Sequence, residues 1–166
     1  VFSLLYGYIS LTFRYYGEMI TYLGMTAPMA VAALVSWLRH PYKGDRAQVQ
    51  VNRLAAKEPG LLALLTAAVT GVFYFILAAF GTANLLPSTL SVATSFAAVY
   101  LTCRRSPWYA LAYAANDVVL VCLWVLAAME NPGYISVAVC FVMFLANDIY
   151  GFISWRRMGQ RQAAGC

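Results

Sequence analysis

Between Glu58 and Arg104 the chain runs from Pro59 to Cys103, 45 residues, without a charged side chain. A hydrocarbon core about 30 Å thick is crossed by roughly 20 helical residues at a rise of 1.5 Å each. The stretch is therefore too long for one crossing and fits two. The break falls at GTANLLPST, where Gly81, Asn84 and Pro87 supply turn chemistry. Charges divide the remainder in the same way. Residues 17–38, 107–129 and 133–155 read as further spans, ENPG parts the last two, and residues 1–13 read as part of another. With 63% hydrophobic and 10% charged residues, the composition is that of an integral membrane protein rather than a soluble domain.

Five spans and a partial one alternate across the bilayer. One side gathers Arg39, Lys43, Arg46, Arg53 and Lys57, then Arg104 and Arg105, then Arg156, Arg157 and Arg161; the other has Arg14. The positive-inside rule places the 39–59 loop and the C-terminus in the cytoplasm. These charges flank spans and act as topology signals, so the net charge of +5 does not point to nucleic acid. Within the loop, residues 44–57 are expected as a short surface helix with a thin apolar stripe.

The chain offers little for catalysis or metal binding. Cys103, Cys122, Cys140 and Cys166 lie far apart, and His40, the sole histidine, falls in the basic loop. A zinc site wants clustered Cys and His, and a nucleophilic triad would have to borrow His40. Lys43 and Lys57 are both in the polar loop, so no buried lysine is available for a Schiff base. No catalytic residue, metal ligand or cofactor is expected. The start has neither the basic region nor the cleavage site of a signal peptide.

A shift of 118 residues lays the start of the chain over its end. Tyr16 falls on Tyr134, Met25 on Met143, Ser36-Trp37 on Ser154-Trp155 and Arg39 on Arg157, while Tyr6 meets Trp124, aromatic on aromatic. Both copies end in S-W-x-R and run in the same direction, as parallel repeats of transporters do. The second copy holds three spans, which leaves residues 60–80 as a single linking helix. The expected fold is an all-α membrane bundle with a 3+1+3 parallel repeat, similar to that of the SWEET transporters. Residues 1–38 are the remainder of the first bundle, 39–59 the loop, 84–156 the second bundle and 157–166 a cytoplasmic tail. The repeat predicts one further helix, and the start of the next, before Val1.

YYGEMITYLGMTAPM ahead of Trp37, and NPGYISVAVCFVMFLANDIYGFISW near the end, resemble the PnuC-type vitamin transporters, best known for nicotinamide riboside. The resemblance covers nearly the whole chain and rests on the Tyr16 to Met19 element, Pro28-Met29 and the Gly151 to Trp155 ending. It implies a bacterial inner-membrane protein that works by facilitated diffusion of an unphosphorylated vitamin, trapped afterwards by a cytoplasmic kinase. It also implies a homotrimer. The chain departs from the pattern at Ala30, where Asn or Gln is usual, and at Tyr113, where Trp is usual.

Asn-Asp pairs occur twice inside apolar spans, at Asn116-Asp117 and Asn147-Asp148. Asp117 lies 12 residues past Arg105, about 18 Å into the membrane, and Asp148 lies eight residues before Arg156, about 12 Å in. A charge at such depth costs at least ~2.5–3.5 kcal/mol, so these residues usually face the bundle interior and mark a pathway. Tyr113, Asn116 and Asp117 follow i, i+3, i+4 spacing, with Trp124 three turns on along the same face. On the last span Asn147, Asp148 and Tyr150 offer similar chemistry. The expected substrate site is therefore Tyr113, Asn116, Asp117, Trp124, Asn147, Asp148 and Tyr150. Aromatic faces would stack on a pyridinium, a carboxylate would balance its charge, and Asn would bind amide or hydroxyl. Ser88, Ser91, Ser95 and Thr102 form a hydroxyl stripe that reads as close helix packing, and Trp37, Trp108 and Trp155 read as interfacial anchors.

Alternatives remain open from the residues alone. The cargo could be thiamine or riboflavin, and the aspartates could couple transport to protons. More remotely, they could form the dyad of an intramembrane aspartyl protease, although both follow Ala-Asn rather than the Tyr-Asp and Gly-x-Gly-Asp settings of those enzymes.

Overall fold

The structure, a computed structural model, describes residues 2–12, 16–82 and 84–164; the side chains of Phe2 and of residues 45–47 are not described. Arg14 and Cys166 lie outside the described residues. The chain is helical apart from one short hairpin. The helices are α1 (Phe2–Thr12), α2 (Tyr16–Ile20), α3 (Ala27–Leu38), α4 (Glu58–Ala79), α5 (Leu85–Cys103), α6 (Trp108–Glu130) and α7 (Ile135–Ala164). A π-helical segment, Thr21–Thr26, joins α2 to α3 without a break. Among the described residues, five helical stretches are long and apolar enough to cross a membrane: Tyr16–Leu38, Glu58–Ala79, Leu85–Cys103, Trp108–Glu130 and Pro132–Ala164.

Local chemistry sets the ends. The charge-free stretch divides at Gly81 and Asn84, which take left-handed backbone angles, φ 63° and 55°. Pro87 then sits in the first turn of α5, where a missing N–H costs nothing. ENPG forms a 3₁₀ turn in which the Asn131 side chain accepts a hydrogen bond from the Gly133 N–H at 3.0 Å. At the basic end, Arg104 pairs with Glu58 and ties the end of α5 to the start of α4.

One segment differs from the sequence reading, and the tail takes a defined form. Residues 41–49 form a β-hairpin, β1 (Pro41–Tyr42) and β2 (Asp45–Val49), where a surface helix was expected. Tyr42 pairs with Asp45 around Lys43 and Gly44, both with positive φ (50° and 79°), the geometry of a two-residue type I′ turn. The tail from residue 157 is not loose. Helix α7 continues to Ala164, and Gln162 grips the loop by accepting from the Val51 N–H at 2.9 Å and donating to the Val49 carbonyl at 3.0 Å.

Helix α5 is central, packed against α3, α4, α6 and the π segment. Its inward face carries Ser88, Ser91, Ser95 and Ala98, small residues that let backbones approach closely. Tyr6, Tyr22, Leu120, Leu123, Trp124 and Phe141 fill one core cluster; Met25, Leu77, Val92 and Phe96 fill the other. Between them runs a line of buried polar groups.

Candidate functional site

Glu18 begins that line. Gly17 beside it brings the α2 backbone so close to α4 that an added Cβ would lie 2.7–2.8 Å from Thr82 and Leu77. Glu18 is only 1% exposed. Its Oε2 accepts from the Ser91 hydroxyl at 3.5 Å, and Ser88 lies alongside without completing a hydrogen bond. The π segment follows at once. Pro28, at the start of α3, has no N–H to donate to the carbonyl four residues back, so the ladder widens there. Such single-turn insertions recur at functional sites. This one buries Thr21, Tyr22, Met25 and Thr26.

Asn116 is the hub of the network. Its Oδ1 accepts from the Thr94 hydroxyl at 2.8 Å and the Ser95 hydroxyl at 3.0 Å, and its Nδ2 donates to the Tyr22 hydroxyl at 3.1 Å. Three segments, π, α5 and α6, are joined through one side chain. One residue on, Asp117 is buried with Oδ2 unpartnered, and its carboxyl group faces that of Asp148 across the α6–α7 contact. Tyr113 lies beside both acids and reaches the Thr102 hydroxyl. Two carboxyl groups side by side in a low-dielectric setting repel when both are charged, so the pair is suited to receive a cation. The neighbouring phenol and amide can take up hydroxyl or amide groups.

Aromatic clusters close both ends. Away from the basic loop, the Trp124 indole N–H donates to the Tyr6 hydroxyl at 2.7 Å, and Tyr6 meets the Tyr22 and Phe141 rings edge-on, with centroids 4.5 and 5.2 Å away. Toward the basic end, the rings of Trp37 and Trp155 lie 5.1 Å apart, with Tyr109 5.0 Å from Trp155. The Trp37 indole N–H donates to the Thr102 carbonyl at 2.8 Å. Trp37 and Trp155 thus pack on each other inside the bundle end, while Trp108 is half exposed as an interfacial ring would be.

Of the seven residues expected at the site, the structure brings together Tyr113, Asn116, Asp117 and Asp148. Trp124 is on the same line, fully buried and engaged with Tyr6. Asn147 lies beside Asp148 at the exposed edge of α7, and Tyr150, 72% exposed, stands apart from them. A helix turns about 100° per residue, so Asp148 cannot share its inward face with both. Glu18, Tyr22 and Tyr6 belong to the network and were not expected at the site, and Ser91 and Ser95, read as close helix packing, belong to it too. The signal was present: Glu18 and Tyr22 are i, i+4 within one apolar span, and the serine stripe repeats on the facing helix. Among the described residues no group of three His, Cys, Asp or Glu could hold a metal ion.

Residues 1–157 match the family described as nicotinamide mononucleotide transporter. A protein of Neisseria mucosa, named nicotinamide riboside transporter PnuC, is 28% identical over 164 residues, 96% of this chain and 62% of that protein. The solved structure described as the crystal structure of the vitamin B3 transporter PnuC superposes with a TM-score of 0.78 at 26% identity, over 95% of this chain and 69% of the other. The chain thus spans under two thirds of the length of the curated relative. Matched over almost all of its own length, it belongs to the nicotinamide mononucleotide transporter family.

Proposed function

We propose that this chain forms the greater part of a transporter that carries nicotinamide riboside across the bacterial inner membrane by facilitated diffusion. The observation that carries the reading is the match over 96% of the chain to a protein named for that substrate. The buried network suits the cargo: a cationic pyridinium against Asp117 and Asp148, an aromatic face from Tyr113, and amide or hydroxyl contacts to Asn116 and Tyr22. The 39–59 loop and the C-terminus face the cytoplasm, as their basic residues argue. A homotrimer is the assembly expected from the resemblance.

Alternating access would occur by two three-helix bundles rocking about a midplane site, with α4 as the linking helix of a 3+1+3 plan. Support comes from two contacts. Tyr6 with Trp124 and Trp37 with Trp155 are each partners 118 residues apart, and each pair meets directly, at opposite ends of the molecule. Equivalent residues of a parallel repeat touch where they straddle a shared two-fold axis.

The protease reading has no support: the family is one of transporters and the aspartates lack the protease setting. Uptake of labelled nicotinamide riboside by the full-length protein, in cells without a transporter of their own, tests the proposal. Saturable uptake unaffected by excess thiamine or riboflavin is the expected result; transport of thiamine instead would sink it. The facing aspartates keep proton coupling as a second reading, which requires concentrative uptake in kinase-free vesicles that collapses with an uncoupler.

A further inference from the structure

Outside the central line, two cavities on the flank of the bundle adjoin each other. A groove of about 1000 Å³ between α4 and α5 is lined almost wholly by apolar groups. A second cavity of about 710 Å³ lies under the hairpin loop and the end of α7, with Arg53, Arg156 and Ser106 in its wall. Leu54, Pro59 and Trp108 line both. The groove extends along α4 from Pro59 to Phe75, about 24 Å at the helical rise, most of the ~30 Å hydrocarbon core.

We propose that the adjoining cavities hold one anionic phospholipid from the leaflet on the basic side, with its phosphate among Arg53, Arg156 and Ser106 and an acyl chain along the α4–α5 groove. Three observations carry this. The Ser106 hydroxyl is 1% exposed and has no hydrogen-bond partner, although it lines the polar cavity. The ion pair of Arg104 with Glu58 uses neither Arg53 nor Arg156, and Arg156, whose guanidinium lies over the Phe152 ring at 5.7 Å, keeps its N–H groups for a phosphate. The apolar groove begins where the basic cavity ends, which matches a headgroup followed by a tail. A topology signal accounts for basic residues on this side, but not for a buried hydroxyl aimed into a cavity between them.

Native mass spectrometry of the full-length protein, released from micelles with added phosphatidylglycerol or phosphatidylcholine, tests it. Phosphatidylglycerol should be retained roughly 25-fold over phosphatidylcholine, about fivefold for each arginine. R53A/R156A should erase the preference and R53K/R156K should restore most of it. Gly71, where an added Cβ meets nothing within 4 Å, allows the groove to be filled without a clash. G71F should lower retention of both lipids. Equal retention of the two lipids by the wild type, or a preference that survives R53A/R156A, overturns the proposal. So does retention that is indifferent to headgroup and appears only in oligomers, which assigns the groove to a second copy.

Discussion

Aligned in sequence by the 118-residue shift, the helix from Tyr16 to Leu38 and helix α7 handle charge differently. The first carries its acid, Glu18, two residues from its start, then a π segment, then Pro28. The second is one unbroken α-helix with its acid, Asp148, near the middle of the span. The positions facing these acids in the other copy are neutral: Ser136 stands for Glu18 and Ala30 for Asp148. Their common ending, Ser-Trp-x-Arg, packs Trp37 against Trp155. The two aligned helices thus share an ending and differ where polar groups are buried. On the repeat and the cargo proposed above, this asymmetry would suit a molecule whose two ends differ chemically, a flat cation at one and hydroxyls at the other.

The largest effect should come from removing the second copy's acid. Asp148→Ala deletes one of two facing carboxyl groups, and a hydrogen bond to a charged partner is worth about 1.5–3 kcal/mol. Uptake by the full-length protein should fall at least about tenfold, while thermal stability holds or rises because a like-charge neighbour is gone. Full transport after this change would return the aspartates to helix packing and erase the functional side of the comparison.

Next is the first copy's kink. Replacing Pro28 with Ala restores an N–H to the ladder and lets the π segment relax to α-helix. That removes one residue's worth of slack, about 100° of rotation, and turns Tyr22 away from Asn116. Uptake should fall severalfold at unchanged expression. Unchanged uptake would show that the kink follows from packing of Tyr22 and Met25, not from the proline.

Glu18 distinguishes a packing acid from a substrate acid. Glu18→Ala leaves the Ser91 hydroxyl buried without its acceptor, a cost of about 1–3 kcal/mol, seen as a lower melting temperature. Glu18→Gln keeps an acceptor oxygen and should recover most of that stability. If Glu18→Gln folds well and still loses transport as fully as Asp148→Ala, both copies supply acids to the cargo and the contrast drawn above fails.

What the sequence revealed, and what it hid, follows the same physics. Spans were legible because water and hydrocarbon sort whole stretches, and 45 uncharged residues leave no other reading. Asp117 and Asp148 were legible because charge at mid-span is costly enough to require a reason. Glu18 was hidden by its position: two residues from a helix end, an acid looks like a flank in water, and only packing against Ser88 and Ser91 shows it sealed. Tyr150 stands apart from Asp148 because proximity along α7 is not proximity on one face. The hairpin's signal was Lys43-Gly44, a turn pair set beside the alternating Gln48-Val49-Gln50-Val51, whereas the thin apolar stripe of 44–57 suggested a helix. The extension of α7 past its apolar stretch left no hydropathic trace, because the bonds that hold it, from Gln162 on α7 to Val49 and Val51 of the loop, are polar contacts between residues far apart in sequence.

The smallest expected effect tests the axis itself. Trp124 and Tyr6 are equivalents in the proposed repeat, and their hydrogen bond joins α1 to α6. Trp124→Phe removes the indole donor, and Tyr6→Phe removes its acceptor while keeping the ring. Each should cost about 1 kcal/mol, the net worth of one such bond, with the aromatic packing against Phe141 and Tyr22 kept in Tyr6→Phe. Because both changes break the same bond, the double variant should cost less than the two single costs added, by at least about 0.5 kcal/mol. Strictly additive losses would mean that the two residues stabilise their own bundles separately. The contact would then be a neighbourly one, and the pairing of equivalent residues at opposite ends of the molecule would lose half of its support.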